Sequence, residues 1–386
     1  MVSFLGGSLI KVMHIINSLE SGGAEMTLAQ LVKNMDKTQF SNVVVSLRED
    51  GFYGPIIRAE GITVYSLGQK TGILDLSALH RLYRIIKLEK PDILQTWLYF
   101  SDVLGLVMAK LTRIPRVFWN IRCSDPHRGQ FSLRRKTLLK CLALLSRFPT
   151  GAIANSKAGI AYHSQLGYRP KSWEFIPNGF DTDILKPSPE KRNEWRKTLK
   201  IPNDVLVIGL IARYNRLKDL PTFIRAASLL AGSMSNVHFC LVGSGMSLEN
   251  TELKELLKNT KVSHLFHLIE RQKDIAGIFS VFDVFTLSSI SEGFPNVTAE
   301  AMACGLPTVV TDAGDSILIV DDCGMVVPSQ SPEALATAWA KVLSMSPGDR
   351  SIMGQKARQR IITAFPITKM SAQYESVYKR AKSNHL

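Results

Sequence analysis

Ser291-Glu292-Gly293-Phe294-Pro295-Asn296-Val297-Thr298-Ala299-Glu300-Ala301-Met302-Ala303-Cys304-Gly305 is the stretch whose reading decides the fold. The apolar run Val281–Leu287 before it has the β-branched and aromatic content of a buried strand. A polar turn over Ser288–Ser291 then leads to a helix with Pro295 at or near its first position, where a missing N–H costs nothing. Gly305 falls where a left-handed cap ends that helix, and Leu306-Pro307-Thr308-Val309-Val310 predicts the next buried strand. Strand, turn, helix, strand is a parallel crossover, and in such sheets ligands lie at the carboxyl ends of the strands. Glu292 is expected in that crevice, beside the open N–H groups of the helix start, a ready anion site. Glu300, eight residues on, is expected two turns along the same helix face. That is a poor core pattern and a good binding pattern.

Working outward, Val205–Ala212 predicts the first strand of the same sheet, after the linker Lys186-Pro187-Ser188-Pro189 and a helix over Glu190–Leu199. It runs into Arg213-Tyr214-Asn215-Arg216-Leu217-Lys218, and cations at a strand mouth form an anion clamp suited to a diphosphate. Gly243-Ser244-Gly245, after the strand Val237–Val242, is a partial G-x-G without the third glycine of a dinucleotide fingerprint.

The amino-terminal half repeats the theme. Lys11–Ile16 predicts a strand ending in Ser21-Gly22-Gly23-Ala24-Glu25, a glycine turn into an amphipathic helix. Further strands are expected at Asn42–Leu47, Gly61–Leu67, Asp92–Thr96, Val117–Ile121 and Gly151–Ala154, with a helix over Leu76–Leu88. Residues 131–148 predict a basic crossover helix with Leu138, Leu142 and Leu145 on its apolar face and Arg134, Arg135, Lys136 and Lys140 beside it. Such a helix packs on a sheet, and its charged side can also meet an anionic membrane surface. Asp181-Thr182-Asp183 has two carboxylates one residue apart, but Asp in a turn more commonly binds its own backbone than a metal.

The chain of 386 residues exceeds the size of one ordinary core, so two domains are expected. Its net charge of +14 is uneven: residues 1–185 hold 23 Lys and Arg against 14 Asp and Glu. That balance favours an anionic partner: nucleic acid, acidic lipid or a phosphorylated substrate. The five cysteines include no C-x-x-C pair, which argues against a zinc site and a disulfide framework. No apolar run is long enough to predict a spanning helix. Lys11 follows the short apolar stretch at the amino end instead of preceding it, so no signal peptide is expected.

Ser21-Gly22-Gly23-Ala24-Glu25, Arg213 with Lys218, and Glu292-Gly293-Phe294-Pro295-Asn296 with Glu300 stand in an order that resembles the retaining glycosyltransferases of family 4. Gln95-Thr96-Trp97-Leu98-Tyr99 and Asn120-Ile121-Arg122-Cys123-Ser124-Asp125 look like the branch that builds bacterial surface polysaccharides, lipopolysaccharide and lipid-linked oligosaccharides. The resemblance implies a GT-B fold, α/β, with two facing Rossmann-like domains, parallel β-sheets and a donor cleft between them. It implies an acceptor-side domain over residues 1–186, a nucleotide-sugar domain over 187–365, and a carboxyl-terminal helix over 366–386 returning to the first.

By the same resemblance, Arg213 and Lys218 neutralise the leaving diphosphate and Glu300 holds the ribose. Gly293, Phe294, Pro295, Asn296 and Val297 form the helix mouth at the phosphates, Glu292 contacts the transferred sugar, and Gly22 and Gly23 approach the donor from the other domain. The implied donor is a UDP- or GDP-sugar, used without metal or cofactor. The implied acceptor is a polysaccharide or lipid-linked glycan at the cytoplasmic face of the membrane. Attack is implied on the front face of the sugar, without Glu292 as a covalent nucleophile. Phe100 and Ile269 depart from the relatives' usual His and Gly. Phe100 leaves open a non-catalytic partner subunit, Ile269 leaves uridine or guanosine undecided, and another GT-B enzyme such as a sugar-nucleotide epimerase is the alternative. A phosphorylase would need a cofactor lysine with no evident place, and nucleic-acid binding is disfavoured because no known binding module surrounds the cations.

Overall fold

The structure is a computed structural model that describes residues 9–20, 22–69, 75–122 and 133–383, with residues 133–136 described by backbone alone. Ser21 and the segment Cys123-Ser124-Asp125 of the sequence motifs therefore lie outside the described residues, as do the side chains of Arg134, Arg135 and Lys136. Contacts divide the described chain into two compact units. Unit 1 holds residues up to Gly179 together with those from Ile367 onward, and unit 2 holds Phe180–Pro366.

Unit 1 is built on a parallel sheet of seven described strands: β1 (Ile10–Ile16), β2 (Phe40–Ser46), β3 (Thr63–Ser66), β4 (Ile93–Trp97), β5 (Val117–Ile121), β6 (Gly151–Ala154) and β7 (Trp173–Phe175). Their order is β3-β2-β1-β4-β5-β6-β7, so the direction of winding reverses between β1 and β4. Along β1, Val12 and Ile16 enter one core cluster while Met13 and Ile15 enter another. That alternation fills both faces of a parallel sheet with apolar side chains. The last helix, Ile367–Lys382, closes one face: Tyr374, Val377 and Tyr378 join the cluster of Val12 and Ile16. It is pinned there by Asn120 Nδ2 donating to Tyr374 Oη at 2.8 Å and Tyr378 Oη donating to Gln95 Oε1 at 3.1 Å.

Unit 2 repeats the plan with β8 (Leu206–Ile211), β9 (Val237–Val242), β10 (Phe266–Ile269), β11 (Val284–Leu287), β12 (Thr308–Thr311) and β13 (Met325–Val327). The order is β10-β9-β8-β11-β12-β13, again parallel, with its reversal between β8 and β11. In an open α/β sheet this reversal opens a crevice at the carboxyl ends of the strands. Phe180 enters the core of unit 2, stacking on Phe294 with ring centroids 6.3 Å apart.

Three local expectations are corrected. The run Val281–Leu287 is not all strand: the helix Ile275–Val281 ends in it, and β11 starts only at Val284. Both elements are buried, so hydrophobicity gave no boundary between them. In the helix Leu133–Leu145 the inward residues are Leu139, Leu142 and Ala143, whereas Leu138 turns outward, 37% exposed. Third, Glu292 is not on the helix of Glu300, because that helix begins only at Asn296, with Pro295 as its N-cap. The eight-residue spacing is therefore a turn plus part of a helix, not two helical turns. Its carboxyl end is as expected. Gly305, at φ +75°, follows the last turn, with its N–H on Met302 O and that of Leu306 on Ala301 O, a Schellman pair.

Candidate functional site

The site is assembled from two loops at the reversal of the unit 2 sheet. The first leaves β8 and carries Arg213 and Lys218. The glycine loop after β9 braces it: Tyr214 N–H donates to Ser244 O at 2.8 Å, and a Cβ on Gly243 (φ +136°) would lie 2.8 Å from the carbonyl carbon of Ala212. Gly243 thus serves close backbone packing beneath Arg213, which accounts for the partial G-x-G. A 3₁₀ turn over Arg216–Lys218 follows, with Asn215 Oδ1 accepting from Leu217 N–H. Asp219, left-handed at φ 47°, then redirects the chain into the helix Leu220–Ala231 and caps it through Thr222 N–H. Asp is among the few residues that take this conformation cheaply.

The second loop leaves β11 and carries Glu292. The two loops are joined by backbone and side chain alike. Ile290 N–H donates to Leu217 O at 2.8 Å, and Ser288 Oγ donates to Lys218 O at 2.7 Å. Lys218 Nζ reaches Glu292 Oε1 at 2.5 Å, and Ser289 Oγ donates to the same oxygen at 2.6 Å. Behind them, Thr311 Oγ1 at the end of β12 donates to Ser289 O at 2.6 Å, and Asp315 N–H donates to Gly293 O at 2.9 Å. Gly314, at φ +58°, supports the Glu292 turn so closely that a Cβ there would lie 2.6 Å from Gly293 O. Ser289, Thr311, Gly314 and Asp315 brace the Glu292 turn, and the sequence alone does not single them out. Their sequence signal is the turn pattern Asp312-Ala313-Gly314-Asp315 directly after a strand.

Lys218 and Glu292 are brought together as an ion pair. Arg213 is exposed and has no hydrogen-bond or ion-pair partner among the described residues, so its guanidinium is open to a ligand. Phe294 is 7% exposed, between Phe180 and Phe365, with its ring 5.6 Å from that of Phe365. Its side chain anchors the turn, leaving its backbone as the part that a ligand could meet. Pro295 is likewise buried. Asn296 and Val297 open the helix Asn296–Ala303, whose first N–H groups lack acceptors within the helix.

Glu300 stands on the second turn of that helix, half-buried, and no hydrogen bond or ion pair joins its carboxylate to a described residue. Loss of solvent pushes its carboxyl up to about 7. A carboxylate held out of water and given nothing by the protein suits hydroxyls brought by a ligand. Gly22 and Gly23 are exposed at the start of the helix Gly23–Asn34 in unit 1. Gly22 is extended at φ −159°, so no left-handed geometry requires the glycine, although a Cβ there would press against the Glu25 side chain.

Asp181 Oδ1 accepts from the N–H groups of Asp183 and Ile184, the backbone-binding turn expected of it. Among the described residues no group of three or more His, Cys, Asp or Glu side chains gathers to hold a metal ion. No helix of the described residues is long and apolar enough to cross a membrane.

Two parallel Rossmann-like domains, the second with a cationic and carboxylate mouth at its sheet reversal, are the architecture of the GT-B fold. A UDP-glucose complex of HepE from Anabaena superposes with a TM-score of 0.82 at 22% identity, covering 96% of this chain and 99% of that one. WaaG, a glycosyltransferase involved in lipopolysaccharide biosynthesis, superposes with a TM-score of 0.72 at 15% identity, covering 95% and 99%. The model of Glycosyltransferase Family 4 matches residues 21–184, and that of glycosyl transferases group 1 matches residues 203–345. The chain thus carries a Glycosyltransferase Family 4 domain followed by a glycosyl transferases group 1 domain. A UDP-Gal:α-D-GlcNAc-diphosphoundecaprenol α-1,3-galactosyltransferase of Escherichia coli is 25% identical over 321 residues, 79% of this chain and 80% of that protein.

Proposed function

We propose that this chain transfers a sugar, with retention of its anomeric configuration, from a UDP- or GDP-sugar to a lipid-linked or polysaccharide acceptor during synthesis of a cell-surface glycan. The observation that carries the reading is the open Arg213 and the partnerless Glu300 at the reversal of one sheet. Arg213 takes two oxygens of the donor diphosphate, and Lys218 adds a point charge. Both act where negative charge develops as the glycosyl bond breaks, the most effective place for a fixed cation. Backbone N–H groups at Asn296 and Val297 serve the same oxygens. Glu300 accepts from the ribose hydroxyls.

Glu292 accepts from a hydroxyl of the transferred sugar. It is already tied to Lys218 and Ser289, which supports a positioning role and not one as a covalent nucleophile. Retention then follows from front-face attack, in which the leaving phosphate takes the proton of the acceptor hydroxyl. With two cations and a helix start to neutralise the diphosphate, the reaction needs no metal in this reading. The diphosphoundecaprenol acceptor named for the galactosyltransferase and the involvement of WaaG in lipopolysaccharide biosynthesis support a lipid-anchored acceptor and a peripheral place at the cytoplasmic membrane face.

The test is a thermal-shift panel of UDP, GDP, ADP and their sugars, since a ligand of the native state raises its stability. A rise with UDP or GDP and their sugars is expected. A chain that none of them stabilises would refute the reading.

A further inference from the structure

The carboxyl ends of β4 and β5, beside the reversal of the unit 1 sheet, carry polar groups that the donor reading does not use. Trp97 ends β4, and Leu98 follows with φ 73° and ψ 157°, a conformation close to glycine-only territory. Arg122 leaves the end of β5, next in the sheet, and its Cζ lies 4.7 Å from the centroid of the Trp97 ring. That ring is itself fixed, stacked on Tyr374 at 6.4 Å and donating through Nε1 to His14 Nδ1 at 3.3 Å. Arg122 is therefore a cation set on a rigid platform.

Its hydrogen bonding is incomplete in an informative way. Nη1 donates to Asn178 Oδ1 at 2.5 Å. Nε and Nη2 are shut away from solvent and have no acceptor among the described residues. These two N–H groups lie on one edge of the guanidinium, the edge that receives a carboxylate or phosphate through two parallel bonds. A buried charged donor left unpaired costs several kcal/mol, a cost that a bound oxyanion removes. The side chain cannot escape by losing its proton, since arginine stays charged in proteins. Glu25 is the acidic group whose field reaches Arg122, but it forms no ion pair with it, and burial raises the carboxyl of Glu25 above its ordinary range.

We propose that Arg122 anchors an oxyanion site at the mouth of the unit 1 sheet, and that the anion it takes is a phosphate group of the acceptor substrate. The site stands on the unpaired guanidinium edge alone. Assigning its phosphate to the acceptor rests on the glycosyl-transfer reading, and the excess of positive charge in residues 1–185 favours a phosphate.

The test is calorimetric titration of the full chain with inorganic pyrophosphate at fixed ionic strength, in the R213A background so that the unit 2 clamp does not contribute. Binding is expected, weakened roughly tenfold or more by R122Q. R122K keeps the charge but loses the two-donor edge and is expected to weaken binding by about the same order. E25Q removes a neighbouring negative charge and is expected to tighten binding by about two- to fivefold. Should R122Q fail to fold, R122K and E25Q carry the test. Unchanged binding in R122K and E25Q, or no binding at all in the R213A chain, would overturn the site. Malonate, a dicarboxylate, binding more tightly than pyrophosphate would overturn the phosphate assignment. A chain that binds pyrophosphate through Arg122 but responds to no nucleotide would refute the transferase reading and leave this site standing.

Discussion

Lys218 and Glu292 meet at the reversal of the unit 2 sheet, Nζ to Oε1 at 2.5 Å, so that the β8 loop and the β11 loop each carry half of one ion pair. The pair is only partly open to solvent, with side chains 24% and 13% exposed. Lys218→Ala would remove the cation paired with Glu292 and, in the proposed reading, a phosphate contact. The expected result is a fall in kcat of about 10²–10³, the range typical of a lost charge-stabilising donor. Steady-state release of nucleoside diphosphate measures it, and a K218A chain with full kcat would refute the role.

Glu300 ties the site to pH. Its carboxyl is raised from 4.5 to about 7, so between those values the folded chain holds a proton that the unfolded chain has released. Stability from this group is fully present below about pH 4.5 and is lost as pH rises through about 7, a change of roughly 3 kcal/mol. Glu300→Gln should therefore melt higher than the parent near pH 8, and close to it near pH 4.5. Its nucleotide affinity should fall about 10- to 100-fold near pH 8, the worth of one or two hydrogen bonds to a charged acceptor. Melts and titrations at the two pH values check both halves, and equal melting of E300Q and parent near pH 8 would refute the first.

Gly314 links a residue outside the motifs to the chemistry. Its φ of +58° and its closeness to the Glu292 and Gly293 backbone leave no room for a side chain. Gly314→Ala is expected to cost about 1–3 kcal/mol and to shift the Glu292 turn, lowering kcat through the Lys218 pair. A melt gives the first effect, and a kinetic comparison with K218A gives the second. Independent, additive losses in the double variant would show that Gly314 does not act through that pair.

Much of this was legible in the sequence, and the exceptions have physical causes. β5, β6 and β9 match their expected limits because they are short apolar runs bounded by turns. The cap at Gly305 was legible because the position needs φ above zero. The helix Tyr99–Thr112 was missed: it starts straight from Leu98 without a side-chain cap and is apolar on several sides, so no start signal or phase marks it. The inward face of the helix Leu133–Leu145 was misjudged because Leu138 and Leu139 are adjacent and equally apolar. The spacing of Glu292 and Glu300 was misjudged because eight residues equal two helical turns only if the helix already runs at Glu292, and it begins at Asn296. The isolation of the Nε and Nη2 edge of Arg122 depends on Trp97, Asn178 and Tyr374, which only the fold brings together.

The outer side of the helix Leu133–Leu145 makes a further prediction. Lys140 and Leu144 are exposed on it, and Arg147 and Phe148 just past its end, with Leu144 and Phe148 both 62% exposed; in the proposed reading this patch meets anionic lipid. Replacing Leu144 and Phe148 with Glu should reduce cosedimentation with phosphatidylglycerol vesicles at least about tenfold, since each buried apolar side chain is worth about 1.5–3 kcal/mol. Vesicle binding unchanged in that variant would refute a membrane contact at this patch.

The central claim is that the mouth of the unit 2 sheet holds the diphosphate and ribose of a nucleotide-sugar. Calorimetric titration of the parent, R213A and E300Q chains with the nucleoside diphosphate that stabilises the parent is its most direct test. The account predicts one site per chain, weakened roughly tenfold or more in each variant while both remain folded. Parent-like affinity in both folded variants would contradict it.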